Sequence, residues 1–337
     1  MSSDQDLLDP LDLLVIGAGP TGLAIGAEAR RRGLSTLLLD RGGLTQSLLD
    51  FPDFMRFFTT RDLLEIADVP FAIPEDKPDR RQALAYYRAV AQHHHLDLAL
   101  HEAVTAVRGV EGAFDVETLR RGRVGLRRAA AVAFATGYFG TPRRLGVPGE
   151  DRAEVQHRYR EPYRSFGEQV VIVGGGNSAA EAALELHRAA VEVTVVIRGQ
   201  ALKPTVKYWV KPDFENRVAA GAFRALYSTR VVGFDTGRVL VEGPAGPTEL
   251  AADRVLVLIG YEPEMSLLRE AGIEIDPGSL VPRVDPTTCE SNVAGLYVAG
   301  TLQAGRDTGK IFIENSRDHG LRIVEHLARH PRGRRRP

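Results

Sequence analysis

A strand, a glycine-rich turn, a helix and a second strand follow one another twice in this chain of 337 residues, and this repeat constrains the fold more than any other feature. The first copy has an apolar strand at 11–16, the turn G-A-G-P-T-G at 17–22 and an Ala-rich helix at 23–32. A second apolar strand, 36–39, then ends in Asp40. This order predicts a βαβ unit that binds a dinucleotide.

Each glycine of the first turn has a predicted task. Gly17 makes the tight turn, Gly19 lets backbone N–H groups approach a pyrophosphate, and Gly22 brings the helix close to the strand. Asp40 is predicted to accept hydrogen bonds from the ribose hydroxyls. The turn residues predicted to contact the cofactor are Gly17, Gly19, Pro20, Thr21 and Gly22.

The second copy has a strand at 169–173, the turn G-G-G-N-S-A at 174–179, a helix at 180–190 and a strand at 193–197. Arg198, not an acid, follows this last strand. An acid would repel a 2′-phosphate, whereas a guanidinium can bind it through two parallel hydrogen bonds. The second site is therefore predicted to prefer NADPH over NADH, unless Arg198 is an ordinary solvated residue. The turn residues predicted to contact this coenzyme are Gly174, Gly176, Asn177 and Ser178.

Opposite charges at the two ribose positions predict two different dinucleotides, FAD at the first turn and NADPH at the second. Two further strands that run into turns, at 133–137 and 295–301, are typical of a flavoprotein. Gln46 follows a glycine pair and is predicted to lie near the isoalloxazine edge, with an ordinary polar loop residue as the alternative. The other residues predicted to contact FAD are Thr136, Gly137, Gly300 and Thr301, and those predicted to contact NADPH are Lys203 and Gly260.

Composition excludes several classes of protein. Hydrophobic residues make up 44% of the chain and charged residues 26%, which is typical of a globular protein and excludes a fibrous or disordered one. The net charge of −1 predicts no global attraction to nucleic acid or to an anionic membrane. The single cysteine, Cys289, excludes an internal disulfide and a four-thiolate zinc site, and no metal is predicted.

The terminal segments and the cysteine content predict a cytoplasmic protein. Residues 1–12 contain acids and no basic region, unlike a signal peptide. The longest uncharged run, 13–27, is interrupted by glycine and proline and is shorter than a membrane span. A single cysteine is typical of a reducing compartment. The basic tail at 329–336 is predicted to be disordered.

Longer strings make the chain resemble the thioredoxin reductase-like flavoproteins from residue 11 to about residue 327. Within that superfamily the chain resembles the bacillithiol disulfide reductase family. The strings that carry this second resemblance are F-F-T-T at 57–60, L-E-I at 64–66, Y-Y-R at 86–88, K-Y-W-V at 207–210, P-D-F-E-N-R at 212–217 and I-F-I-E-N at 311–315.

This resemblance implies a three-layer α/β fold with two Rossmann-like dinucleotide-binding domains, a homodimer, and FAD and NADPH as cofactors. It also implies that electrons pass from NADPH through flavin to a low-molecular-weight disulfide, bacillithiol disulfide. The implied FAD domain is discontinuous, 1–140 plus 266–337, and the implied NADPH domain is 165–265. The chain is expected to cross between them at 141–164 and 260–266.

The chain departs from both families where they carry cysteine. Thioredoxin reductases have C-x-x-C in the NADPH domain, where this chain has Asn177, Ser178 and Ala179. Bacillithiol disulfide reductases typically place a cysteine where this chain has Thr21. Neither a dithiol relay nor a thiol adduct at that position is therefore predicted, and the flavin itself is predicted to donate the electrons.

A few isolated residues are candidates for further roles. His319 is a candidate proton donor, with a structural histidine as the alternative. Thr301 stands where the superfamily usually has Asp after Gly300, a change that FAD binding is predicted to survive. Consecutive histidines at 93–95 are predicted to be a polar helix end, because they cannot all face one metal.

Three of the five lysines, Lys203, Lys207 and Lys211, lie within nine residues beside the only tryptophan, Trp209. Their spacing of four would place them on one face of a helix, although flanking prolines limit its length. The cluster is predicted to bind the 2′-phosphate, the carboxylates of an acidic thiol, or a small acidic redox protein. A solvated charged surface is the alternative.

The sequence also allows three other functions. A ferredoxin or flavodoxin NADP reductase of the same fold needs no thiol at Thr21, and the lysines would dock its acidic carrier. Residues 155–159 resemble the linker of flavin monooxygenases, although Asp151 and Ala153 stand where that family has Phe and Gly. A redox-sensing protein that holds both nucleotides without turnover is the non-enzymatic alternative.

Overall fold

A computed structural model describes residues 10–329 of the chain, and these residues divide into two compact units. The first unit consists of 10–49, Thr59–Thr141 and 262–329, and the second consists of Asp50–Phe58 and Pro142–Tyr261. Residues 50–58 lie within the predicted FAD domain but group with the second unit. The predictions for the extreme N-terminus and for the basic tail fall outside the described residues.

The elements follow one another in βαβ order at the start of each unit. In chain order the strands are β1 (Leu13–Ile16), β2 (Thr36–Asp40), β3 (Leu98–Leu100), β4 (Ala103–Val110), β5 (Ala113–Arg120), β6 (Arg123–Ala129), β7 (Val132–Phe134), β8 (Thr141–Pro142), β9 (Val155–Gln156), β10 (Gln169–Val173), β11 (Glu192–Val196), β12 (Arg224–Leu226), β13 (Arg230–Asp235), β14 (Arg238–Gly243), β15 (Gly246–Ala251), β16 (Arg254–Val257), β17 (Tyr261–Glu262) and β18 (Leu296–Val298). The helices are α1 (Pro20–Arg31), α2 (Gln46–Leu49), α3 (Arg61–Leu64), α4 (Arg80–His93), α5 (Asn177–Arg188), α6 (Val210–Ala219), α7 (Ser266–Glu270) and α8 (His319–Arg329), with 3₁₀ turns at Tyr163–Ser165 and Gly300–Ala304.

The first unit has three layers built on a parallel sheet in the order β18-β7-β1-β2-β3. Alternate residues of a strand face opposite sides, so the fully apolar β1 must be covered on both. Leu14 and Ile16 pack in one core with Phe114 of the antiparallel sheet β4-β5-β6. Val15 faces the other side, towards Gly22 of α1. Helices, parallel sheet and antiparallel sheet therefore form successive layers.

The second unit repeats this arrangement with a parallel sheet in the order β12-β11-β10-β16-β9. Val170 and Ile172 of β10 pack in one core with Phe214 of α6. Val171 and Val173, which alternate with them, pack in a second core that includes residues of the antiparallel sheet β13-β14-β15. The two faces of β10 thus carry separate cores, as expected of a strand that is buried on both sides.

The three clustered lysines do not share a helix. Lys203 and Lys207 precede α6, which begins at Val210, and only Lys211 lies within it. Pro212 lies in the first turn of α6, where the missing N–H has no intrahelical partner to lose. Within residues 10–329, no helix is both long and apolar enough to cross a membrane.

Candidate functional site

The glycines of the first turn have two different surroundings. A side chain at Gly17, whose φ is +114°, would overlap the carbonyl of Ala135, and a side chain at Gly22 would overlap the carbonyl of Gly17. At Gly19, in contrast, an added Cβ atom would meet no protein atom within 4 Å. Gly17 and Gly22 are therefore required for packing, whereas Gly19 leaves open space where the sequence predicts the pyrophosphate.

The amino end of α1 adds donors beside this open space. Gly19 is the N-cap residue and Pro20 begins the helix. No side chain caps the helix and no acid lies in its first turn, so the first N–H groups and the helix dipole favour an anion. A turn that a Cβ would fill and a helix end without a cap together fit the pyrophosphate of FAD.

Asp40, at the end of β2, ties the first turn to the loop that follows. Its carboxylate accepts hydrogen bonds from Ala18 N at 2.9 Å and from Gly42 N at 2.8 Å. Gln46, in the same loop, accepts a hydrogen bond from Gly43 N at 2.8 Å through its side-chain carbonyl. The roles of Asp40 and Gln46 toward FAD stay predictions, and both side chains also hold the shape of this loop.

A cavity of about 220 Å³ lies beside the first turn. Four predicted residues line it, Gly17, Asp40, Thr136 and Gly137. The sequence did not predict the other walls, which include Arg41, Glu102 to Thr105, Glu264, Ser266 to Leu268 and Glu270. No local pattern marks these residues, because they reach the cavity only when β4 and α7 pack near β2.

Thr21, Gly300 and His319 lie together although they are far apart in sequence. Gly300 has a φ of +69°, and a Cβ there would lie 2.6 Å from Thr21 Oγ1. The Gly300 N–H donates a hydrogen bond of 3.0 Å to His319 Nδ1. Gly137 is also close, since a Cβ there would lie 3.6 Å from Thr301 Oγ1. The structure thus gathers the predicted C-terminal residues around the first glycine turn.

The hydrogen bond from Gly300 N–H determines which ring nitrogen of His319 carries the proton. Burial lowers the pKa of this histidine, and Arg322 also lowers it, whereas Asp318 raises it. Because Nδ1 accepts a hydrogen bond, the neutral ring carries its proton on Nε2. Protonation of Nδ1 would place two donors against each other. This geometry favours a positioning role for His319, namely holding the Gly300 turn.

We expect His319 to make the stability of the protein sensitive to acid. Its pKa is lower in the folded protein than in the unfolded chain, so unfolding takes up a proton once the pH falls below about 6.5. The stability penalty is absent above that pH and grows as the pH falls towards the pKa of the folded state. In His319→Asn, which keeps an acceptor for Gly300 N–H, the unfolding temperature should fall less between pH 7 and pH 5.

The control for this measurement is His101→Asn at an exposed histidine whose φ is +57°, a conformation that Asn tolerates. This variant should keep the acid sensitivity of the parent chain. Equal acid sensitivity of His319→Asn and the parent would show that His319 does not take up the proton.

In the second glycine turn, as in the first, one glycine is required for packing and another leaves open space. A side chain at Gly174, whose φ is +149°, would overlap the carbonyl of Leu258. At Gly176 a Cβ would meet only the Lys203 side chain, at 3.9 Å. Gly176 is also the N-cap of α5, which has no side-chain cap and no acid in its first turn. These features fit a second pyrophosphate, that of NADPH.

Asn177 holds the segment that carries Lys203. Its side-chain carbonyl accepts a hydrogen bond from Lys207 N at 2.8 Å, and its amide donates to Thr205 O at 3.1 Å. Lys203 N donates to Gly175 O at 2.8 Å. The turn and the segment 203–207 therefore form one rigid surface, which the hydrogen bonds of the Asn177 side chain hold together. Ser178 is exposed in the first turn of α5.

Two of the cations near this turn have opposite surroundings. Arg198 is exposed, and no hydrogen bond or ion pair joins its side chain to another described residue. Lys207 is nearly buried and forms an ion pair of 2.6 Å with Glu181. Of these two cations, Arg198 is therefore the one that can bind a 2′-phosphate, whereas Lys207 is held by its ion pair with Glu181 of α5. Gly260, also predicted for this site, is exposed and its carbonyl accepts a hydrogen bond from Arg143 N at 2.9 Å.

The one cysteine of the chain, Cys289, is buried in the first unit with 1% of its surface exposed. Burial raises the pKa of its thiol, and a neutral thiol is a poor nucleophile. We expect iodoacetamide to leave the NADPH oxidation of the native protein unchanged and to label one cysteine only after unfolding, as followed by mass spectrometry. Loss of activity in step with labelling of Cys289 would contradict this expectation.

The fold and its two glycine turns define a class of protein, the flavoprotein oxidoreductases that bind FAD together with a nicotinamide dinucleotide. The chain belongs to the pyridine nucleotide-disulphide oxidoreductase family, whose family model matches residues 14–300. The predicted cofactors, FAD and NADPH, are confirmed at the level of the family.

Known proteins match nearly the whole chain. A bacilliredoxin reductase (Bdr) of Bacillus subtilis is 34% identical over 94% of this chain and 97% of its own length. The structure of a bacillithiol disulfide reductase (Bdr) from Bacillus cereus has a TM-score of 0.93 and 33% identity, covering 96% of this chain and 100% of that chain. A ferredoxin–NADP reductase of Ignicoccus hospitalis is 25% identical over 86% of this chain and 90% of its own length. The predicted family and the predicted thioredoxin reductase-like fold with two Rossmann-type domains are confirmed.

Proposed function

We propose that this protein is an NADPH-dependent flavoprotein that reduces a disulfide without using a cysteine of its own. The reaction is NADPH + H⁺ + RSSR′ → NADP⁺ + RSH + R′SH, in which one S–S bond breaks and two S–H bonds form. The observation that supports it most is the match along nearly the full length to reductases of disulfide type, at 34% identity and a TM-score of 0.93.

The residues of this chain have proposed tasks in binding and positioning. Bound FAD would supply the two-electron redox chemistry that links NADPH to the acceptor. The open turn at Gly19 and the uncapped end of α1 bind the pyrophosphate of FAD, and Asp40 binds its ribose. Arg198 and Lys203 bind the phosphates of NADPH. His319 and Thr21 hold the Gly300 turn in place.

The low-molecular-weight disulfide that we propose as acceptor is bacillithiol disulfide. Two kinds of name support it: the curated relative is named for bacilliredoxin and the solved relative for bacillithiol disulfide. Because Thr21 replaces the cysteine of the first turn and Cys289 is buried, the proposed donor to this disulfide is the reduced flavin.

The domain assignment is part of the same proposal. Residues 1–140 plus 266–337 are proposed as the FAD domain and residues 165–265 as the NADPH domain, with crossings at 141–164 and 260–266. Support comes from the first unit, which contains the first glycine turn and its cavity, and from the second unit, which contains the second turn. A cytoplasmic location is also proposed, in line with the low cysteine content, and a homodimer is proposed from the resemblance to the reductase family.

Anaerobic stopped-flow absorbance tests this function. The FAD-loaded protein is reduced with one equivalent of NADPH and then mixed with bacillithiol disulfide, while the visible flavin band is followed. We expect the band to bleach with NADPH and to return within seconds upon mixing with the disulfide. A flavin that NADPH bleaches but the disulfide does not reoxidise would exclude this acceptor.

A ferredoxin or flavodoxin NADP reductase is the second candidate. It is favoured by the absence of any exposed cysteine among the described residues and by the likeness to a ferredoxin–NADP reductase. In the same stopped-flow experiment, reoxidation of the flavin by oxidised ferredoxin and not by bacillithiol disulfide would support this candidate. It would also indicate that Thr21, in place of the family's cysteine, accompanies a change of electron acceptor.

A further inference from the structure

The antiparallel sheet of the first unit has an edge whose main-chain groups are not used. In the order β4-β5-β6, β6 is the last strand, and it pairs with β5 on one side only. Leu11 N donates a hydrogen bond of 2.9 Å to Arg128 O, so the main-chain groups of Arg128 point away from β5. Because alternate residues of an antiparallel strand direct these groups to the same side, those of Val124 and Leu126 also point away. Within residues 10–329, no hydrogen bond reaches these two residues from that side.

Apolar side chains stand on the outer face beside this edge. Val124 has 79% of its surface exposed, Leu126 has 52%, and Leu119, opposite Val124 on β5, has 41%. The other face of β5 carries Phe114 and Val116, which are buried in the core of the unit. An edge with exposed apolar side chains invites pairing with another strand. The three outer side chains therefore add little to the core and are available to a partner.

Three exposed arginines surround the turn between β5 and β6. Arg121 and Gly122 have φ values of +50° and +77°, as in the tight two-residue turns that join hairpin strands. Arg120 and Arg123 flank this turn and lie opposite each other in the register. No ion pair or hydrogen bond joins any of the three guanidinium groups to another residue of the described chain.

The acids of the same sheet do not neutralise these arginines. The strands β4, β5 and β6 contain two acids, Asp115 and Glu117. Asp115 is paired with Arg128 at 3.2 Å, and Glu117 is paired with Arg108. The turn of the hairpin is therefore a local positive charge on a chain whose net charge is −1, and it attracts acidic groups.

We propose that the free edge of β6 docks an acidic segment of another protein, which adds to the three-stranded sheet as a further strand. Val124 and Leu126 would each exchange a pair of main-chain hydrogen bonds with the incoming strand, whose side chains would cover theirs. Carboxylates of the same segment would bind the arginines at the turn. The segment is short, because Leu11 already occupies the edge at Arg128 and limits the pairing to residues 123–127.

The chemistry of the edge favours a protein segment over other partners. Main-chain donors and acceptors along a strand are matched by another strand and not by a lipid headgroup. The one aromatic side chain of β5 and β6, Phe114, is buried, whereas single-stranded nucleic acid is bound largely by stacking on exposed rings. A second copy of this chain would bring its own arginines against these, and like charges repel.

Fluorescence anisotropy on the full-length, FAD-loaded protein tests this docking. The probe is the labelled peptide E-D-V-T-V-D-E, whose valines can pair with Val124 and Leu126 and whose acids flank them in either strand direction. We expect the peptide to bind, and its dissociation constant to rise at least about tenfold in the double variant Arg120→Glu and Arg123→Glu. Raising the salt concentration from about 50 to about 300 mM should weaken binding to the parent protein several-fold. No binding up to about 1 mM peptide would overturn the proposal.

Two changes distinguish strand pairing from attraction between charges alone. Leu126→Pro removes an N–H group that points away from β5, so it should leave the pairing of β6 with β5 intact and abolish binding of the peptide. The same peptide methylated on both valine nitrogens keeps its charge and loses these donors, so it should not bind the parent protein. Equal binding of the methylated and unmethylated peptides would overturn the proposal.

The matched control for charge is the double variant Arg81→Glu and Arg88→Glu on α4. Both arginines are exposed and have no partner among the described residues. This variant should bind the peptide as the parent protein does, and an equal loss of binding in it would overturn the proposal. Reduction of the flavin by NADPH should match that of the parent in every variant, which shows that each variant is folded.

Other occupants of the edge would give different results, and each would overturn the proposal. A dimer on sedimentation that Leu126→Pro dissociates would assign the edge to a second copy. Binding of phosphatidylserine vesicles, but not of the peptide, that the Arg120 and Arg123 variant loses would assign it to a membrane surface. Tighter peptide binding in the double variant Asp4→Asn and Asp6→Asn would assign it to the acidic amino-terminal residues of this chain.

This inference does not rest on the proposed function, because none of the residues at the edge is assigned to cofactor binding. Reoxidation of the flavin by a disulfide is measured separately from peptide binding. Failure of the docking proposal would therefore leave the proposed function intact, and failure of the proposed function would leave the docking site to be decided by anisotropy.

Discussion

The variant Gly19→Val is expected to fold and to be purified without FAD. Gly19 has a φ of −82°, which any residue adopts, and a Cβ there meets no protein atom within 4 Å. The added methyl groups would instead occupy the space beside the uncapped end of α1, where the pyrophosphate is proposed to bind. We expect the affinity for FAD to fall by at least about 100-fold, or roughly 2.7 kcal/mol. Flavin content and titration of the apoprotein with FAD measure this loss.

Gly176→Val is the matched control, since Gly176 holds the same position in the second turn and a Cβ there meets only the Lys203 side chain at 3.9 Å. It should keep FAD and lose reduction of the flavin by NADPH. Gly22→Ala should behave differently from both, because its Cβ would overlap the carbonyl of Gly17 and destabilise the fold. Full FAD content in Gly19→Val would show that the pyrophosphate does not lie at this turn.

The variant Arg198→Glu is expected to reverse the coenzyme preference. The exposed Arg198 side chain has no partner among the described residues, so it can form charge-assisted hydrogen bonds with a 2′-phosphate. Hydrogen bonds to charged groups contribute about 1.5–3 kcal/mol, and the new carboxylate would also repel the phosphate. The kcat/KM for NADPH should fall by roughly 100-fold, while that for NADH rises because Glu can accept the ribose hydroxyls. Rates of flavin reduction by each coenzyme give both values.

Arg224→Glu makes the same change of charge at the beginning of β12, where Arg224 lies opposite Thr194 in the register and away from the carboxyl end of β11. Its coenzyme preference should match that of the parent protein. If kcat/KM for NADPH falls equally in both variants, the effect comes from the overall charge of the unit. An unchanged coenzyme preference in Arg198→Glu would show that another cation, such as Lys203, binds the 2′-phosphate.

Local order along the chain was enough to predict both βαβ units. The strand predicted at 169–173 is β10 with identical bounds, and the glycine turns at 17–22 and 174–179 lead into α1 and α5. These features depend on neighbours within about ten residues: apolar runs, glycine where a Cβ would collide, and the charge at the end of a strand. Local order therefore predicted the two dinucleotide-binding units and their two cofactors, and the resemblance of longer strings predicted the family and the fold class.

Contacts between distant segments were decided only by the tertiary structure. Nothing near Glu102 or Glu264 in sequence shows that they line the cavity beside Asp40. The three lysines look equivalent in sequence, yet Lys207 is nearly buried in an ion pair with Glu181, whereas Arg198, just before the cluster, is exposed. His319 reaches Gly300, and residues 50–58 carry Phe58 onto Trp209, through packing that no local pattern encodes.

The difference between the features that the sequence predicts and those that it does not has one physical reason. Turn geometry, helix capping and strand burial are set by interactions between near neighbours, so local sequence patterns predict them. The walls of a cavity, the partner of a buried cation and the side chains that share a surface depend on which distant elements pack together. This packing balances many weak contacts over the whole chain.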